Sequence, residues 1–200
     1  AGLSANETRQ ALDALARTTL AATFGDIEDT TEGAIALMSQ FGISAAELSK
    51  ALGSVNAVAA AFAVESEDII AAVKRAGGVF AQTSQGLEQG PLETFNQFIA
   101  TFSAVRATTR ESAESIATGI RTIFTRIQRP QTIQFLKELG INLTDLEGKF
   151  VGPFEAVERL SRGLANVDRR GSTFARVSEE LGGFRQIGKT LALLASAEQR

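Results

Sequence analysis

Three features of the 200-residue chain predict an all-α fold. Alanine, the strongest helix former, occurs 32 times. Alternation of β-branched or aromatic residues with polar ones is nearly absent. Helix start and stop signals recur along the whole length. The expected architecture is a bundle of short to medium amphipathic helices with turns punctuated by Gly and Pro.

The first helix, over 4–22, opens on Ser4-Ala-Asn-Glu7, a capping box in which hydroxyl and carboxylate satisfy each other's backbone amides. After Gly25, Asp29-Thr-Thr-Glu32 is a weaker variant opening 28–41, which Gly42 closes. Ser44-Ala-Ala-Glu47 opens 44–52, Gly53 stops it, and 55–62 follows. Glu67 and Asp68 place negative charge in the first turn of 66–76, which ends at Gly77-Gly78. Glycine suits these ends because it enters the left-handed region without a Cβ penalty. Pro91 suits the first position of 91–107, whose Leu92, Phe95, Phe98, Ile99, Phe102 and Val105 form one apolar stripe. Thr108-Thr-Arg-Glu111 is a third capping box, for 109–128, with Ile116, Ile120, Ile123, Phe124 and Ile127 on one face.

Pro130 opens 131–139, which Gly140 ends. The stretch Ile141–Gly152 resists a helical reading. Its apolar Ile141, Leu143, Phe150 and Val151 flank Asp145-Leu-Glu-Gly148, a pattern compatible with a small β-hairpin turning at Gly148. Pro153 then opens 154–166 with Phe154, Val157, Leu160 and Leu164, and helices over 172–181 and 184–198 follow, the last striped by Ile187, Leu191 and Leu194. A local pattern recurs at Phe41–Leu48, Phe62–Ile69 and Leu139–Leu146. The offsets, 21 and 77, are unequal, so helical hairpins are predicted rather than a solenoid.

The chain has no Cys, His, Trp or Tyr and a single methionine, Met38. Disulfides, Cys/His zinc sites, Cys or His nucleophile–base pairs and a histidine pH switch are thereby excluded. A non-enzymatic protein is expected, with no catalytic, cofactor-binding or metal-ligating residue and no cofactor. Two carboxylate pairs, Glu111 with Glu114 and Asp145 with Glu147, have the residue types for acid–base hydrolysis of sugars, but no Trp or Tyr accompanies them to hold one. They read as caps and solvated faces. The Asp145–Gly148 segment lacks the alternating oxygen ligands of a calcium loop and reads as a turn.

Net charge is −3, unevenly placed: residues 1–100 carry 5 basic and 12 acidic side chains, residues 101–200 carry 15 and 11. The chain divides into an acidic, alanine-rich helical half, 1–107, and an arginine-rich helical half, 108–200, expected to form one compact unit. Arginines cluster at Arg106, Arg110, Arg121, Arg126, Arg129, Arg159, Arg162, Arg169, Arg170 and Arg176. Arg121 and Arg129 lie about two helical turns apart, on a face expected to include Arg110, which makes DNA or an acidic wall a conceivable partner. The plainer reading is a solvated face balanced by Glu111, Glu114, Glu155 and Glu158. The Phe95–Phe102 stripe reads as core rather than a lipid-inserting face, and Ala57–Ala63 as small residues allowing close helix approach, within the chain or between copies. The longest apolar run, Ala57–Val64, is eight residues, against ~20 for a membrane-spanning helix. The start, Ala-Gly-Leu, and the lack of a signal-peptide pattern suggest an internal segment of a longer chain.

The order of these signals resembles the core region of phage tail tape measure proteins. The alanine-rich pair Ala51–Gly78, the helix Thr118-Gly-Ile-Arg-Thr-Ile-Phe-Thr-Arg-Ile127, the short Phe135-Leu-Lys-Glu-Leu-Gly-Ile141, the turn Asp145-Leu-Glu-Gly148 and the amphipathic Pro153–Leu164 follow one another as in that family. Val177–Leu194, with Leu181-Gly-Gly-Phe-Arg185, is similar to its close. A departure is Phe80–Phe102, bulkier than the small-residue helix of the family. The resemblance implies a virion structural role: setting tail length while tube protein polymerises around the chain in the host cytoplasm, residing in the tube lumen, and leaving ahead of the DNA. The implied partners are other copies of itself, tail tube protein, the baseplate hub and tail assembly chaperones, with membrane contact only through other parts of the chain. A helical interaction or chaperone-like module of a phage or prophage is the alternative, and a wall-cleaving enzyme module the third.

Overall fold

The computed structural model describes residues 2–21, 23–183 and 186–198 of the chain. Helix α1, Ala5–Thr18, starts as its capping box dictates: the Glu7 amide donates to Ser4 Oγ at 3.3 Å and the Ser4 amide donates to Glu7 Oε2 at 2.7 Å. It ends short of the expected residue 22, which lies outside the described residues. Helix α2, Ile27–Phe41, is capped by Asp26, whose Oδ1 accepts from the amides of Glu28 at 2.7 Å and Asp29 at 3.3 Å. The Asp29–Glu32 box therefore falls inside the helix, displaced by a stronger cap three residues earlier. Gly42 closes α2 at φ +73°.

The two helices expected over 44–52 and 55–62 are one, α3, Leu48–Phe62. The Ser44–Glu47 motif forms only its returning half, the Glu47 carboxylate accepting from the Ser44 amide and hydroxyl, and closes a turn before the helix. Gly53 does not stop α3. It sits on the exposed face, while Ala51, Leu52, Val55 and Ala59 bury the other and hold the helix through it. Nor does Gly77-Gly78 end the next helix. Helix α4, Ser66–Ala72, runs through a π-helical segment, Val73–Gly77, into α5, Gly78–Thr83. Both glycines are right-handed, at φ −57° and −61°, so neither serves positive φ. Gly77 serves by its lack of bulk, since a Cβ there would collide with Phe41 and Gln40, whereas Gly78 has ordinary room for one.

Helix α6, Pro91–Thr109, outruns its predicted end, because Thr108 Oγ1 donates back to the Ala104 carbonyl instead of capping a new helix. Arg110 closes α6 in the left-handed region at φ +57°, and Ser112 caps α7, Ala113–Ile127, accepting from the Ser115 amide at 3.3 Å. Prolines head α8, Pro130–Glu138, and α9, Pro153–Leu164, as expected. Between them the predicted hairpin is minimal, one antiparallel bridge between Thr144 and Phe150 around Gly148 at φ +81°, and there is no strand among the described residues. Helix α10, Ser172–Leu181, and α11, Ile187–Glu198, complete the chain. The predicted start at 184, the Phe184–Arg185 pair and the side chain of Ile187 lie outside what is described.

The core is organised on α6, whose Phe95, Phe98, Ile99, Phe102 and Val105 are buried with Leu92 at the edge. Phe41 of α2 meets Phe95 edge-on at 5.4 Å between ring centroids, and Phe80 of α5 meets Phe98 and Phe124 in the same way at 5.4 Å. Such rings each contribute on the order of 2 to 3 kcal/mol by leaving water, and their edge-to-face pairing adds somewhat more. Helix α3 packs on α6, α4 on α7, and α11 on both α6 and α9, so one apolar core runs from Ala14 to Leu194.

Candidate interaction surfaces

The carboxylate pairs do not assemble into an acid–base site. Glu111, in the link between α6 and α7, faces α11: its Oε2 receives Lys189 Nζ at 2.7 Å and Ser115 Oγ at 2.6 Å. These two hydrogen bonds hold its carboxyl below the usual carboxylate range, so it serves as the anionic partner of a buried ammonium. Lys189 is only 4% exposed. Its stem crosses α7 at Gly119, where a Cβ would collide with Lys189 Cδ and Gln186 Oε1. Glu114 points to solvent. Asp145 is consumed by its own turn, accepting from the amides of Glu147 at 2.9 Å and Lys149 at 2.8 Å, and Glu147 receives Lys149 Nζ at 2.6 Å. Among the described residues no group of His, Cys, Asp and Glu could hold a metal ion, and no helix is long and apolar enough to cross a membrane.

Two surface grooves stand out instead. One, of about 500 Å³, runs between α1 and α2 over Leu15, Ala34, Met38 and Ile43, with Leu12 and Ile35 at its rim 60% and 55% exposed. In the alanine run of α3, Ala59 packs inward while Ala57, Ala60 and Ala61 face outward. The other groove, of about 390 Å³, follows the polar face of α7 and is lined by Thr118, Arg121, Thr122, Thr125, Arg126 and Arg129. Arg75 of the π segment reaches it, donating from Nη1 to Thr118 Oγ1 at 3.2 Å, and Arg126 Nη1 donates to the Glu179 carbonyl at 3.0 Å.

Seven of the ten arginines picked out in the sequence therefore sort into two groups. Arg106 pairs with Asp68 at 3.7 Å, Arg159 and Arg162 with Glu155 at 2.8 and 3.5 Å, and Arg176 lies over the Phe135 ring at 4.4 Å. Arg121, Arg126 and Arg129 share the α7 groove, and among the described residues none of them has a carboxylate partner. Arg110 does not line that groove, and Arg169 and Arg170 line a separate pocket with Phe174 and Ser178 of α10. Two participants escape a sequence reading. Arg75 belongs to the acidic half and joins the basic groove only through the packing of the π segment on α7, and Lys189 carries no local mark of burial. No solved structure matches the chain. The model of the phage-related minor tail protein family matches residues 1–183, from before α1 through the end of α10, and the chain belongs to that family.

Proposed function

We propose that this chain is a folded segment of a tail tape measure protein, a non-enzymatic structural component held in the lumen of the phage tail tube. The observation that carries the reading is the extent of the family match, which covers α1 through α10 and leaves only α11 of the packed unit outside it. The order of helices, turn and amphipathic segment that resembles the tape measure core supports it. In this reading tube protein assembles around the chain and its companion copies in the host cytoplasm, between the baseplate hub and the growing end, with assembly chaperones attending. The chain leaves ahead of the DNA at infection.

A folded segment would contribute less length than an extended one. Drawn out as one helix, 200 residues would reach about 300 Å, whereas the longest helix here, the 19-residue α6, is about 28 Å long. A packed unit of this size has a radius of gyration of about 16 Å. The segment is thus a bead on a longer ruler. Excising it in frame from the phage gene and measuring tails by electron microscopy tests this. A bead shortens the tail by about its own diameter, ~40 Å. Shortening near ~300 Å means that the segment runs extended in the particle, and unchanged tail length overturns the ruler reading.

A further inference from the structure

We infer that the groove along α7 binds the sugar–phosphate backbone of nucleic acid through Arg75, Arg121, Arg126 and Arg129, without reading sequence. Thr118, Arg121, Thr122, Thr125 and Arg129 stand at i, i+3, i+4, i+7 and i+11 of a helical face that continues into the turn before α8, so they form one row. Arg121 and Arg129 are eight residues apart, about 12 Å along the axis. Arg126 borders the row and Arg75 enters from the neighbouring π segment. The four guanidinium groups are not neutralised by any described carboxylate. Each is a planar fork of donors suited to the acceptor-only oxygens of phosphate.

The lining selects the partner. A protein surface is gripped by apolar and aromatic anchors in a desolvated centre, and this groove offers only threonine and arginine. The Thr118 and Thr122 hydroxyls spend their protons on the Glu114 and Thr118 carbonyls, both at 2.8 Å, which keeps the row polar without adding a hydrophobic floor. Charge and hydrogen bonds alone suffice for a phosphate backbone, and the absence of an aromatic lining residue removes base stacking as a source of preference. The overall charge of −3 gives no general attraction, so binding is confined to this face. Glu114 bounds the row at its N-terminal end. This inference does not rest on the ruler reading, and either can fail alone.

Fluorescence anisotropy of the 200-residue chain with a labelled 20-base-pair duplex is the test. Four phosphate contacts predict that raising salt from 50 to 200 mM weakens binding by about 100-fold, and that Arg121→Gln/Arg129→Gln weakens it at least 10-fold at 50 mM and reduces the salt effect to about 10-fold. Arg9→Gln/Arg17→Gln on α1 is the matched control and leaves both unchanged. All four positions are on the surface, and circular dichroism checks that each variant is folded. If Arg121→Gln/Arg129→Gln does not fold, Arg75→Gln alone carries the test through its smaller loss of about one contact. No binding at 50 mM, or equal binding by the α7 variant, overturns the inference. So does polyglutamate held as tightly through the same arginines, which would make the occupant an acidic protein.

Discussion

Two glycines bring helices of this protein into contact, and what occupies the space beside them differs in kind. At Gly77 the π segment presses on α2, and a Cβ would lie 2.7 Å from Phe41 Cε2, whose ring is braced by Phe95 and Phe98. At Gly119, α7 lets the stem of Lys189 cross it on the way to Glu111. The first junction is dispersion and burial, divided among many rings. The second hangs on one ionic contact whose two ends are unequally wet, Lys189 buried and Glu111 about a third exposed. Mutations at the aromatic junction should therefore scale with volume removed. At the ionic junction the sign and size should depend on which end is removed.

The largest effect is expected in the aromatic junction. Phe98 is fully buried and meets Phe41 at 5.8 Å and Phe80 at 5.4 Å, so Phe98→Ala leaves a cavity ringed by stiff neighbours and costs about 4 kcal/mol. In urea this appears as a lower midpoint at unchanged slope. A loss below about 1 kcal/mol would show that α2, α5 and α6 can collapse together, and the contrast with the ionic junction would dissolve.

The ionic junction is expected to be asymmetric. Glu111→Ala leaves the Lys189 ammonium buried without a counter-ion, at about 2 kcal/mol, a value discounted for the partial exposure of the pair. Lys189→Met keeps an aliphatic stem over Gly119 and leaves a carboxylate that water can reach, so it costs less than about 1 kcal/mol. Equal losses would mean that the two ends are alike. The acid dependence carries the same signature. Glu111 titrates below its ordinary value of 4.5 in the folded state, so its stabilising contribution is complete above that value and is lost as pH falls through the lowered one. Glu7 and Glu47 are lowered too, by hydrogen bonds from Ser4 and Ser44. The difference between the wild-type chain and Glu111→Gln therefore separates the Glu111 carboxylate, with its Lys189 and Ser115 donors, from Glu7 and Glu47: the variant's melting temperature should fall less steeply below about pH 4.5.

The same contrast separates what was legible in the sequence from what was not. The Phe and Ile stripes of α6 and α7, the Ser4 capping box, the three N1 prolines and the Gly42 stop all depend on residues within a few positions of one another, and each stands where the pattern placed it. The failures came where a local signal was overruled from a distance or by a neighbour. The Thr108 box lost to the Ser112 cap, and in Gly77-Gly78, which reads as a stop, Gly77 serves a close approach to Phe41 that no local pattern encodes. The basic groove was half legible: the spacing of Arg121 and Arg129 put them on one face, and the i,i+4 pairing of Glu155 with Arg159 is local, but the engagement of Arg106 and Arg176 depended on where the fold places Asp68 and Phe135.

Glycine also supplies the finest test, because one substitution should act with opposite sign at two sites. In a helix interior Gly→Ala gains about 1 kcal/mol of propensity wherever the methyl has room. At Gly53, exposed midway along α3 with no heavy atom within 4 Å of a Cβ, Gly53→Ala should raise stability by about 0.5 to 1 kcal/mol. At Gly77 the same methyl would also meet Gln40 Oε1 at 2.8 Å, and overpacking of about 2 to 3 kcal/mol outweighs the propensity gain, for a net loss of about 1 to 2 kcal/mol. The two variants should therefore move the thermal midpoint in opposite directions. If both stabilise, the Phe41 ring and the Gln40 amide yield without cost, and the aromatic junction is softer than its edge-to-face packing implies.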